Sequence, residues 1–373
     1  MVFFAPPPAL PVVPHRIVPE EDISVSEALS PGVVSSGPSE MILAQAVIPE
    51  AQTAVDVNDD QITISGGQQA GANLFYGFEQ FNVPTDATAD FLANPSVQRV
   101  VGHVTSGDGS NIDGLLTITG GDADLFIINP AGILFGPNAR LDLPATFTAT
   151  TAQGVGFGER WFSATGENAI QELSGAPNGL GFSESSGAIV NLADLSVNDG
   201  LLLAAGTVVD LGSLRSQNGT VQVLSQDSGT VVLRDGLLRL DLAPAALPIE
   251  SSGPVTSLAD LLTGGTAEQA AEITVDGQGN VFLANVPLNA GDGVVSQLSG
   301  QSALVAAGNN LYLPGSNLTT NDELTLVGEQ IYITDSEAQP LTLRAGERLT
   351  IQGRSGIDVL ALYNDQTVIA GGE

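Results

Sequence analysis

The chain has 373 residues, enough for two ordinary domains or for one elongated domain of repeated structure; 44 are glycine, and aromatics make up only 5%. Ten Lys and Arg against 42 Asp and Glu give a formal charge of −32, which disfavours nucleic acid and anionic membrane surfaces as partners. The absence of cysteine excludes disulfides, thiolate zinc sites and cysteine nucleophiles, and no run of about 18 apolar residues is present to span a membrane as a helix.

Residues 1–50 read as a Pro/Ser/Glu-rich leader without a usable period, expected to be disordered. Within it, "MILAQA" (Met41–Ala46) resembles the tail of an export signal with a small-x-small cleavage site, but the hydrophobic body before it is missing. The signal is therefore read as degenerate, or as misassigned at its start. From Val55 the text changes: "QITISGG", "GLLTITGG" and "DLFIINP" are strand-length runs, each closed by Gly, Asn or Pro. "DADLFIINPAGILFGPNARLDL" (122–143) places two similar Asn/Pro/Gly corners between strand-like pieces. Proline fixes φ and asparagine caps a turn, so both are good corners for structural reasons alone.

The segment 188–225 shows further short apolar runs around Leu195, Leu203, Val209 and Val221, with Gly200, Gly206, Gly212 and Gly219 at the corners. Residues 242–275 break the pattern: they are Pro/Ala-rich, with Leu258, Leu261 and Leu262 at helical spacing, and read as a loop with a short helix. Beyond them, apolar triplets begin at Leu311, Leu324, Ile331, Leu341 and Leu349. Two consecutive steps sum to 17–20 residues, one coil of a solenoid with two or three short strands. Triplets this short favour a parallel β-helix over a sandwich, in which hairpin turns would be prominent.

Catalytic parts are few. His103 stands in an apolar strand, "VVGHVTSG", where a histidine is usually structural, and His15 lies in the leader. Since β-helices also carry polysaccharide lyases and hydrolases, Asp194, Asp199 and Asp210 are candidate carboxylates, with Arg215 and Arg234 as candidate charge stabilisers. None of these has a distinctive spacing. "SGDGSNIDG" (106–114) offers the oxygen donors Asp108, Asn111 and Asp113, but lacks the twelfth-position glutamate of an EF-hand and reads better as a turn.

"GANLFYGFEQFNV" (71–83), "SNIDGLLTITGGDADLFIINPAGILFGPNARLDL" (110–143) and "FTATTA" (147–152), in that order, resemble the filamentous haemagglutinin N-terminal domain. This is the secretion domain of two-partner secretion exoproteins, in the version common in cyanobacteria. The resemblance is specific over about 55–160 and looser to about 365, through text such as "LVAAGNNLYLPGSNL" (304–318).

It implies an all-β, right-handed parallel β-helix with N-terminal capping strands, secreted or held at the outer cell surface. It implies no enzymatic activity and no cofactor or metal. The implied partner is an outer-membrane β-barrel transporter of the Omp85 class, whose periplasmic domains recognise the unfolded chain. An adhesin-like role toward extracellular carbohydrate or cell surfaces is implied further; a β-helical carbohydrate-binding or carbohydrate-cleaving protein is the alternative.

The family motif NPNL corresponds to Asn94-Pro95-Ser96-Val97, which keeps its first two letters but not the third and fourth, and NPNGI to Asn129-Pro130-Ala131-Gly132-Ile133. The resemblance therefore assigns transporter recognition to Asn94, Pro95, Asn129, Pro130, Gly132 and Ile133, with Ala131 unable to supply the family's amide. The expected division is a leader over 1–50, a secretion domain over 51–160, and continuing coils over 161–373 with the insertion at 242–275.

Overall fold

Each turn of the chain lays one short strand on each of three faces, and the same three faces recur coil after coil. The computed structural model describes residues 46–234, 237–243, 273–275, 281–283, 286–335, 340–361 and 363–371. The leader up to residue 45, His15, and the 242–275 insertion apart from its edge strands Leu237–Ala243 and Ile273–Val275 lie outside the described residues. One coil consists of Leu201–Ala205, Thr207–Asp210 and Ser213–Ser216, after which Thr220–Ser225 returns to the first face. Strands on a face pair in parallel with those of the coils before and after: Leu201 sits beside Phe147 on one side and Val221 on the other. The fold is a parallel β-helix.

Strand alternation puts every second side chain inside, where it stacks on its equivalents in neighbouring coils. One such column runs Val100, Leu125, Phe147, Leu201, Val221, Ala303 and Leu324, all buried. Burying each large member contributes about 1.5–3 kcal/mol, and loss of one is felt by both neighbours.

Register gives coils of the expected length where Leu201 lies beside Val221, Leu195 beside Leu214 and Leu298 beside Leu318, and longer ones toward the C-terminal end. Leu311 does lie beside Ile331, but Leu324 lies beside Leu349 and Leu318 beside Leu343. A coil holds three strands, and the short third strand Asn317–Thr320 puts a single apolar residue, Leu318, into the core. That one residue leaves no triplet for a sequence reading to count.

The first face is apolar on its outer side too. Phe75, Val101, Phe126, Ile128, Leu202 and Leu224 point away from the solenoid and are nevertheless buried. An antiparallel sheet of Gly154–Phe157, Arg160–Ser163, Pro177–Phe182, Gly229–Arg234 and Leu237–Ala243 covers them, contributing Val155, Phe157, Phe162, Leu180 and Phe182. It is built from two excursions of the chain between coils.

At the N-terminus, Val47–Pro49 pairs antiparallel with Asn73–Phe81, and Thr53–Asn58 forms a hairpin with Gln61–Gly66. These capping strands close the first coil, and Val47, inside the segment read as leader, is 1% exposed against Phe81.

Candidate functional site

Asn129–Ile133 forms the corner between Asp124–Ile128 on the first face and Ile133–Phe135 on the second. Asn129 Oδ1 accepts the Ala131 N–H (3.0 Å), and the Gly132 N–H donates to the Asn129 carbonyl (3.1 Å), closing a tight turn on both levels. Asn129 Nδ2 reaches back to the preceding coil, donating to the Asp108 carbonyl (2.9 Å) and Ser110 Oγ (3.0 Å). Gly132 has φ +133°, a conformation that side-chain-bearing residues rarely adopt.

The next coil stacks on this corner. The Gly187 N–H donates to the Pro130 carbonyl (2.8 Å), and a Cβ on Gly187 would lie 2.4 Å from the Ala131 carbonyl oxygen. Asn129, Pro130, Ala131, Gly132 and Ile133 are all buried, Asn129 completely. In the folded protein no partner can touch this motif.

Asn94-Pro95-Ser96-Val97 turns a different corner, from Thr88–Leu92 on the third face to Arg99–Val104 on the first. Its Asn94 Oδ1 accepts the Ser96 N–H (2.9 Å) and the Ser96 hydroxyl, and Nδ2 donates to Gln69 Oε1 (3.3 Å). Here Asn94, Pro95 and Ser96 are exposed and only Val97 is buried. The six assigned residues thus do not form one surface; they occupy two corners of opposite accessibility.

The same side-chain turn recurs at Asn191, outside both motifs: its Oδ1 accepts the Ala193 N–H (3.1 Å) and its Nδ2 donates to the Ala193 carbonyl (3.0 Å). Asparagine at a corner is therefore a general building device of this solenoid.

The other candidates separate in space. Asp113 spends its carboxylate on structure: Oδ1 accepts the Asn138 N–H (2.9 Å), and Oδ2 accepts Asn138 Nδ2 (3.1 Å) and the Thr85 hydroxyl, stapling three successive coils. Asp108 is exposed, and among the described residues no group of three His, Asp or Glu is placed to hold a metal ion. Asp194 and Asp199 are exposed on the outside, as are Arg215 and Arg234, whereas Asp210 is fully buried in the interior. His103 is nine-tenths buried, edge-on to Phe162 at 4.9 Å.

Two polar features escaped the sequence reading. Asn73 Nδ2 donates to the Leu173 and Gly175 carbonyls (both 2.7 Å), fastening the first excursion to the first coil across a hundred residues. The pair Asn191–Asp210 stands inside the core, with Asn191 Nδ2 donating to Asp210 Oδ1 (2.7 Å) and Asp210 Oδ2 without a partner. Asn73 was at least visible within "GANLFYGFEQFNV"; nothing in sequence marked Asp210 as inward-facing.

The sequence profile of the TPS secretion domain matches residues 41–238. No curated protein matches this sequence. Among solved structures, the filamentous hemagglutinin secretion domain is similar at 15% identity and a TM-score of 0.47, over 88% of this chain and all of the other. The HMW1 secretion domain from Haemophilus influenzae is similar at 15% identity and a TM-score of 0.41, over 82% of this chain and 81% of the other.

Proposed function

The chain belongs to the TPS secretion domain family, and from that premise we propose that an outer-membrane transporter reads its Asn94–Pro95 and Asn129–Ile133 segments before the β-helix forms. Members of the family are secretion domains of two-partner exported proteins and work with outer-membrane transporters; the family is not one of enzymes. The finer reading is an adhesin-like exoprotein that folds outside the cell, with extracellular carbohydrate or cell surfaces as its eventual contacts. Its domain division is the leader, the secretion domain at 51–160 and continuing coils to 373, although the family match runs past 160.

The observation that carries the timing is the burial of Asn129–Ile133. An address that is inaccessible after folding can act only on the unfolded chain. The same residues then become a corner, so recognition and structure use one set of side chains in succession.

Asn94 is where the two roles separate. Its side chain is exposed and makes hydrogen bonds of the kind that contribute about 0.5–1.5 kcal/mol each. Asn94→Ala, fused to a signal peptide and co-expressed with a transporter, is expected to reduce protein in the medium at least about tenfold while lowering stability by only about 1 kcal/mol. Wild-type secretion by this variant would remove Asn94 from the address.

A further inference from the structure

The two ends of the solenoid differ. At the N-terminal end the capping strands and the hairpin close the first coil. At the other end, Arg348–Leu360 and Thr367–Ala370 each pair on one side only, with Glu323–Thr334 and Thr342–Ala345. Among the described residues no strand takes their other edge, so backbone N–H and C=O groups stand open on all three faces.

The core is open there as well. Ile357, Val359 and Val368 continue the inward columns of Ile331, Ile333 and Leu343, which are buried. They are themselves 42%, 60% and 56% exposed, and with Leu360, Tyr363 and Ile369 they are the exposed large hydrophobic residues among those described. Natural edge strands are commonly guarded by lysine or proline; Arg348–Ala370 contains neither. Arg348 and Arg354 lie back against the preceding coil, on Glu323 (3.3 Å) and Glu329 (3.8 Å).

Charge selects the occupant. With 42 acidic against ten basic residues, copies of this chain repel one another as whole bodies. Leu341–Ala370 is balanced, since Arg344, Arg348 and Arg354 offset Glu347, Asp358 and Asp365. The apolar end therefore coincides with a stretch where like molecules meet without net repulsion, and a cationic partner finds no excess charge to bind. The coil Arg348–Ala370 spans 23 residues, within the about 20–30 a side that a stable interface uses.

We infer that two copies of this chain associate end to end through this coil, as a two-fold dimer whose edge strands pair antiparallel across the joint. Such an interface is closed: each copy uses its open end once, and no filament grows. It covers Ile357, Val359 and Val368 as a further coil would.

The test is sedimentation of the full chain from about 1 µM to about 1 mM, with hydrogen exchange at both limits. A reversible monomer–dimer equilibrium with a Kd of about 10–100 µM is expected. Added salt should tighten it by screening the repulsion between two acidic bodies. At high concentration the amides of Arg348–Leu360 and Thr367–Ala370 should gain protection. Val359→Asp should weaken the dimer at least about tenfold by placing two charges in the joint, whereas Ala54→Asp, exposed in the N-terminal hairpin, should not change it. A monomer at every concentration would overturn the proposal and give the end to another strand donor. Polymers beyond the dimer, protection gained elsewhere, or a dimer that Val359→Asp leaves intact would overturn it too.

Discussion

Asn129→Ala is expected to destabilise the purified chain by about 2–3 kcal/mol, because it removes three hydrogen bonds and leaves two of the partners buried. The Ala131 N–H loses its acceptor and the buried Ser110 Oγ its donor, while the carbonyl of the exposed Asp108 loses a donor that water can replace. Water cannot reach the Ala131 N–H and Ser110 Oγ without opening the stack under Gly187. Chemical denaturation of the purified variant measures this cost, and wild-type stability would show that the corner's bonds contribute nothing. Secretion is expected to fall as well. Loss of secretion at Asn129 alone therefore does not identify an address, since a misfolded corner gives the same readout. Loss at both Asn129 and the exposed Asn94 does, because at Asn94 the fold is nearly untouched.

Asp210→Asn is expected to do the opposite, stabilising the protein at pH 8 by about 2–4 kcal/mol and leaving it unchanged near pH 4. Burial raises the Asp210 pKa from 3.8 to about 7, outweighing the hydrogen bonds from Asn191 and nearby backbone. The folded state thus holds a proton that the unfolded state releases above pH 3.8. Between those values the folded form binds more protons, so stability falls as pH rises, and above about 7 the full penalty applies. At 1.36 kcal/mol per pKa unit the upper bound is about 4 kcal/mol. Asparagine mimics the protonated acid in shape: its Oδ1 can take the Asn191 N–H, and it never ionises. Denaturation midpoints of both proteins at pH 4 and pH 8 test this. A gain of equal size at both pH values would place the cause outside titration.

Reading the sequence located the corners because their chemistry is local. Proline, glycine and asparagine restrict backbone angles wherever they stand, so Asn94–Val97 and Asn129–Ile133 were recognisable as turns before any neighbour was known. Alternation within a strand is local too, which made "QITISGG" and the Leu311 and Ile331 runs legible. The strand Asn317–Thr320 was not, since it carries one buried leucine among polar residues.

Local chemistry and the ordered motifs thus determined the short parallel strands, their corners and the family. Which side of a corner faces water depends on what stacks upon it, and that partner comes from far along the chain. Gly187 buries the Asn129 corner from 58 residues away, while Gly120 and Gly121, on the coil after Asn94, approach only the Ala93 and Asn94 carbonyls and leave Asn94, Pro95 and Ser96 exposed. The excursions cover the outer apolar side of the first face in the same long-range way, and register alone turned Asp210 inward while leaving Asp194 outside. Burial is a property of neighbours, and neighbours in a β-helix are set by coil stacking that no single stretch of sequence encodes.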